Sequence, residues 1–332
     1  MTSEPSLASE VEHSRSGRPR PAAGPIAVLL GAAAWGSTGT AAHFAPSGAS
    51  PASVGAARIA LGGLLLLVIA LSSADGRQAV AGLLSRGPVA LAALLIAAVA
   101  VAGYQACFFT AVRDSGVAIG TVVAIGSAPV FTGLLSRLAG GPWPGRRWMV
   151  ATASAVAGCA VLLTSGQPVG TGSSAAVSAG ASAAGVLLAL AAGLCYAVYA
   201  VVAARLISAG TPETAVMGLL FGAAAVLLSP LLAASSPGWV LTGRGLAVTA
   251  YLGIVTTVLA YLWYGRGLRT VSAPVAVTLG LAEPVVAAIL GLLVLGERLA
   301  TTAVVGLVLV GLALGTLIGT GPPASPPATA PG

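Results

Sequence analysis

The sequence predicts an all-α integral membrane protein whose ten transmembrane helices form two inverted five-helix repeats. Three observations lead there. Of 332 residues only 7% are charged while 57% are hydrophobic, against roughly 25% charged in a soluble domain, so lipid must be the solvent for most of the outer surface. Ten apolar stretches reach the ~17–25 residues that cross about 30 Å of hydrocarbon. Residues of the first half also recur in the second at fixed spacings. The net charge of +7 arises entirely from arginine. A chain this apolar is neither intrinsically disordered nor a nucleic-acid-binding protein.

Residues 1–24, rich in Ser, Pro, Glu and Arg, read as a disordered cytoplasmic tail. Arg15, Arg18 and Arg20 ahead of an apolar run also suit a signal peptide, but the run from Pro25 to Ala45 is long for one and further spans follow, which favours a retained first helix. The first repeat, 25–164, continues with Ala52–Ser72, Val89–Thr110, Val117–Leu138 and Trp148–Thr164. An uncharged Ser/Gly/Ala-rich linker, 165–183, precedes the second repeat, 184–319, with spans Ala184–Ala204, Ala215–Ala234, Leu246–Tyr264, Val271–Val294 and Thr301–Gly319. A Pro-rich tail, 320–332, is expected to be a second disordered cytoplasmic segment. The spans are apolar on all sides, whereas a membrane barrel would alternate, so helices are the assignment.

Arginine placement sets the orientation, because basic residues resist translocation. With the N-terminus inside, Arg15, Arg18, Arg20, Arg77, Arg86, Arg137, Arg146, Arg147, Arg205, Arg266 and Arg269 fall on the cytoplasmic side, and Arg113, Arg244 and Arg298 outside. Both termini of this multi-pass cytoplasmic-membrane protein are therefore expected in the cytoplasm. Trp35 and Pro51 match Tyr196 and Pro212 at an offset of 161; Phe108-Phe109, Ala118, Pro129-Val130 and Gly141 match Trp263-Tyr264, Ala273, Pro284-Val285 and Gly296 at 155. Five spans per copy is odd, so the copies lie in opposite orientations, the arrangement of many secondary transporters.

Chemistry-bearing residues inside spans are few. Glu283 lies twelve residues past Val271, about 18 Å along the helix and near the midplane, where a charge costs on the order of 2.5–3.5 kcal/mol and needs a partner, a wet cavity or a proton. Its first-half counterpart is Ala128. Arg58 either snorkels to the outer surface or reaches inward to Glu283 or an anionic substrate group. Pro129 and Pro284 each remove a backbone donor near mid-span, marking candidate hinges. Trp35, Tyr104, Gln105, Tyr196 and Tyr199 complete the candidate substrate-binding set with Arg58 and Glu283. Trp263 and Tyr264 read as an interfacial aromatic belt. Small-residue ridges, Gly311/Gly315/Gly319 and Ala151/Ala155/Cys159, suit close helix contact within one molecule or in a homodimer. Three scattered cysteines and two histidines supply no metal site, and no cofactor is implied.

The segments Ser127–Gly141 (SAPVFTGLLSRLAGG) and Leu281–Arg298 (LAEPVVAAILGLLVLGER), within a five-plus-five duplication, resemble the drug/metabolite transporter superfamily, EamA-like group. There each repeat places Pro-Val in its fourth helix and ends it near Gly-Glu. The second copy here fits with Pro284, Val285, Gly296 and Glu297; the first has Pro142 in place of the acid. An early arginine in the second helix and an acid before the second Pro-Val, here Arg58 and Glu283, are also common in the group. The resemblance implies a secondary transporter, exporting small polar metabolites, amino acids or drug-like compounds, with a central cavity between its halves. Glu283 is a candidate charge anchor or proton acceptor, which makes protons a candidate coupling ion. An intramembrane enzyme would need a nucleophile and base that no GxSxG or HExxH supplies. A structural or sensory membrane module is the other alternative.

Overall fold

The computed structural model describes residues 22–165, 182–296 and 300–318. Most of the two expected tails and of the linker lie outside the described residues, as do Glu297, Arg298 and Gly319. The elements are α1 (Ala23–His43), α2 (Pro51–Ser72), α3 (Ala74–Leu84), α4 (Pro88–Ser115), α5 (Val117–Leu138), α6 (Arg146–Thr164), α7 (Ala183–Ser208), α8 (Glu213–Ala234), α9 (Gly243–Leu268) and α10 (Ala273–Val294), and α11 (Thr301–Ile318). Among the described residues, nine of these are long and apolar enough to cross a membrane. The tenth expected span, α1, has the length at 21 residues, but Ser37, Thr38 and Thr40 dilute its apolar character.

Capping explains several starts. The hydroxyl of Ser50 accepts from Ser53 N at 3.2 Å, with Pro51 at the first helical position of α2, and that of Ser182 accepts from Gly185 N at 3.0 Å. One element was not foreseen. The connection after α2 folds into α3, where Ser73 caps Gly76 N at 3.0 Å, Asp75 sits in the first turn, and Val80 and Leu83 are buried.

The packing has a pseudo-two-fold pattern. Helix α2 packs on α8 and α6 on α11; α4 packs on α7 as α9 does on α1; α5 packs on α7 as α10 does on α1. Exchanging every spanning helix for its counterpart in the other half leaves this set of contacts unchanged, as a duplicated sequence with inverted copies requires. The halves are interleaved, since α1 packs mainly on second-half helices and α7 on first-half ones.

The expected ridges divide. Ala151, Ala155 and Cys159 are buried, whereas Cβ atoms added at Gly311 and Gly315 would meet nothing within 4 Å. The contact face of α11 is Ala303, Gly306, Val310, Ala313 and Leu317, which turns Gly311 and Gly315 away. Close approach is instead made at Gly158 and Gly306, where a Cβ on either would lie 2.9 or 2.6 Å from the other's carbonyl oxygen.

Near the start of α8, Glu213 (8% exposed) faces two arginines of the second half: Oε1 lies 3.7 Å from Arg266 Nε and Oε2 3.6 Å from Arg269 Nη1. This carboxylate also favours the N-terminus of α8. Because both guanidiniums are largely exposed, screening limits the gain. Glu213→Gln is expected to lower stability by about 1 kcal/mol at low salt, and high salt should shrink the difference; a salt-independent loss in thermal unfolding would assign Glu213 a packing role instead.

Candidate functional site

Six helices converge on one small cavity of about 40 Å³, lined by Trp35, Arg58, Val101, Tyr104, Gln105, Tyr196, Tyr199, Tyr261 and Glu283. All seven residues expected to bind substrate lie on its walls. Helices α1, α9 and α10 supply Trp35, Tyr261 and Glu283 on one side. Helices α4 and α7 supply Val101, Tyr104, Gln105, Tyr196 and Tyr199 on the other, and α2 adds Arg58.

The aromatic rings close on one another across this gap. Trp35 meets Tyr196 edge-on at 6.5 Å between centroids and Tyr261 at 5.1 Å; Tyr104 meets Tyr196 at 6.2 Å, and Tyr199 meets Tyr261 at 6.4 Å. Tyr196 and Tyr199, one helical turn apart, stack at 5.1 Å. Arg58 and Glu283 are the charged residues of the lining, yet they form no ion pair within 4.0 Å, unlike Glu213 with its arginines. Trp35 Nε1 and Arg58 Nε are buried donors without a hydrogen-bond partner among the described residues. Buried donors left unmatched cost ~1–3 kcal/mol each, so water or a ligand with acceptors suits this place.

The backbone around Glu283 follows from its sequence. Pro284 has no N–H to donate to Gly280, and α10 is interrupted at Gly280–Leu281. Leu281 N donates to Thr278 O at 3.0 Å and Glu283 N to Gly280 O at 2.9 Å, tighter turns in place of the regular ladder. Glu283 thereby enters the first turn of the second segment, Ala282–Val294, where the helix dipole favours a carboxylate. The two prolines differ in effect. Pro129 sits within the unbroken α5, where the residue four positions earlier is Ile125. At the matching second-half position stands Gly280, a weak helix former, against which the Tyr196 hydroxyl is packed.

Tyr261 was missing from the expected set, and its partner Tyr264 departs from expectation. Tyr264 is fully buried, 5.3 Å from Trp35 between ring centroids, so it belongs to the core and not to an interfacial belt. The cause is partly a π-helical turn, Ile254–Leu259, just before these tyrosines. There Thr256 and Thr257 both donate their hydroxyls to Leu252 O, at 2.8 and 3.0 Å. The extra residue per turn changes which face the following tyrosines present. The three-residue spacing puts Tyr261 and Tyr264 on one helical face, but no periodicity marks a π turn.

Three hydrogen bonds join the halves at the end of the molecule expected to face outward. Trp239 Nε1 donates to Ser53 Oγ at 2.7 Å, Arg244 Nε to Phe44 O at 2.6 Å, and Tyr251 OH to Ser37 Oγ at 2.9 Å. At the opposite end, a Cβ at Gly267 would lie 2.3 Å from Val28 Cγ2, so α1 and α9 are also in close contact there. A cavity of about 40 Å³ has room for a water or two, against ~300–1,000 Å³ in ligand pockets. The cavity as it stands is too small for a solute. Among the described residues no cluster of three or more His, Cys, Asp and Glu side chains is placed to hold a metal.

Comparison with known proteins agrees with this architecture. The family model of the EamA-like transporter family matches residues 22–164 and again 183–318. A Bacillus subtilis (strain 168) protein described as "Uncharacterized transporter YwfM" is 37% identical over 287 residues, 86% of this chain and 90% of that one. A protein crystal structure with 20% identity shares the fold at a TM-score of 0.71, covering 90% of this chain and 96% of the other. The chain is a multi-pass membrane protein and belongs to the EamA-like transporter family.

Proposed function

We propose that this transporter carries a small amphoteric solute, an amino acid or a drug-like compound with an amine and an acidic or polar group, outward across the cytoplasmic membrane by alternating access. One observation supports this above all. A single cavity holds one carboxylate, one guanidinium and a ring of aromatics, with Glu283 and Arg58 unpaired to each other. A cationic group would pair with Glu283, an anionic or carbonyl group with Arg58, and the remainder would lie on Trp35, Tyr104, Tyr196, Tyr199 and Tyr261. Protons are the proposed coupling ion, held at Glu283 when the solute is absent.

The interleaved packing suggests which parts move. Helices α4, α5 and α7 form one wall and α1, α9 and α10 the other, with α2–α8 and α6–α11 bridging them. Rocking of the two walls would open the cavity to either side, with the break in α10 and Pro129 in α5 as hinges.

The test is a comparison of cells expressing the chain with cells lacking it, challenged with toxic amino acid analogues and amphoteric dyes, followed by counterflow in proteoliposomes under an imposed pH gradient. The expected result is resistance to at least one amphoteric compound, lost in Arg58→Ala, with flux that follows the gradient. Equal sensitivity across the panel together with no counterflow would overturn the reading.

A further inference from the structure

Outside the cavity, α6 and α11 run antiparallel and leave an open groove of about 520 Å³ between them. It is lined by Arg146, Arg147, Val150, Ser154, Leu309, Leu312 and Thr316, with the buried Ala151 and Ala313 as its floor. Both arginines stand at the first turn of α6, at the end expected to face the cytoplasm. Below them the groove is apolar, and its rims Val150 and Leu312 are each 66% exposed, so they face acyl chains. From Arg146 to Ser154 the groove descends eight residues, about 12 Å, most of the ~15 Å of hydrocarbon in one leaflet.

The charges are available. Neither arginine is in an ion pair among the described residues, and no acid lines the groove. Arg147 Nη2 donates to the backbone carbonyl of Thr316, which fixes that guanidinium over the end of α11 and leaves its other N–H groups free. Two guanidiniums side by side at headgroup depth match a phosphodiester, because each presents a planar fork of donors to phosphate oxygens.

We propose that this groove binds one anionic phospholipid, with its phosphate on Arg146 and the free edge of Arg147 and one acyl chain along Val150, Leu309 and Leu312. A zwitterionic lipid carries its own cation beside the phosphate and gains less from the pair. The lipid bridges the last spanning helix of each half, and the inference stands whether or not the proposed solute is correct.

The experiment places full-length protein in nanodiscs of equal phosphatidylglycerol and phosphatidylcholine and counts retained lipids by native mass spectrometry. Phosphatidylglycerol is expected to be retained preferentially. Arg146→Gln should cut that preference about fivefold, and Ser154→Trp, which fills the trough while leaving both arginines, should also remove it. Arg205→Gln, an exposed arginine outside the groove, should not. Equal retention of both lipids, or a preference unchanged in Arg146→Gln and Ser154→Trp, overturns the proposal. So does inorganic phosphate that raises the unfolding temperature of the detergent-solubilised protein as much as phosphatidylglycerol does, since the acyl trough would then contribute nothing.

Discussion

Replacing Glu283 by Gln is expected to reduce solute flux about thirtyfold or more while leaving the fold intact. The size follows from truncating one partner of a desolvated charge pair, which costs ~2–5 kcal/mol in binding. Here the pair is the carboxylate and the cationic group proposed to sit against it. The fold should survive because Pro284 and Gly280 produce the break in α10, and the glutamine amide keeps nearly the same volume in the lining. Among the described residues no arginine lies within 4.0 Å of it, so removing the charge relieves a burial cost without breaking a close ion pair. Thermal unfolding of the variant should thus match or exceed that of the parent. Glu283→Asp, one methylene shorter, should fall between the two in flux. Proteoliposome transport measured with and without a pH gradient separates two roles. A variant that still exchanges solute but ignores the gradient has lost a proton site, and one that does neither has lost the anchor. Undiminished, gradient-driven flux in Glu283→Gln would remove this residue from the mechanism.

Much of the candidate site could be read in the sequence because polar and aromatic residues are scarce in these spans. In a chain that is 7% charged and 5% aromatic, Arg58, Glu283 and the cluster from Trp35 to Tyr199 stand out against an Ala/Gly/Leu background, and each costs too much in lipid to be placed idly. What could not be read is which side of a uniformly apolar helix meets protein. Hydropathy distinguishes water from lipid but not lipid from a neighbouring helix, since both are apolar. Hence Gly311 and Gly315 resemble a contact ridge as much as Gly306 does, yet only the latter touches α6. Tyr264 illustrates the other limit. Its depth depends on a π turn built from Thr256 and Thr257, a one-residue change of register that no spacing rule reveals. The unequal action of Pro129 and Pro284 depends on the residue four positions earlier, Ile125 or Gly280, together with the tyrosine packed against the glycine.

The same difference between touching and facing lipid makes a pair of glycine substitutions informative. In an exposed helix, Gly→Ala stabilises by roughly 0.5–1 kcal/mol through backbone entropy. Gly311→Ala should behave so, because nothing lies within 4 Å of the added methyl. Gly63→Ala should reverse the sign. Its Cβ would stand 2.2 Å from the carbonyl oxygen of Phe221 and 3.1 Å from Ala225 Cβ, and a backbone oxygen cannot swing aside as a side chain can. Helices α2 and α8, a pair that maps onto itself under exchange of the halves, must separate, at ~1–3 kcal/mol for overpacking on top of the lost entropic gain. The strain also reaches the cavity, since the Phe221 ring lies 3.8 Å from that of Tyr261 and 6.0 Å from that of Tyr199. Gly63→Ala should therefore unfold several degrees below the parent and lose flux, while Gly311→Ala unfolds at or slightly above it with flux retained. Equal behaviour of the two variants would mean that α2 and α8 do not meet at Gly63, and a loss confined to Gly311→Ala would point to a second copy of the chain seated on the outer face of α11.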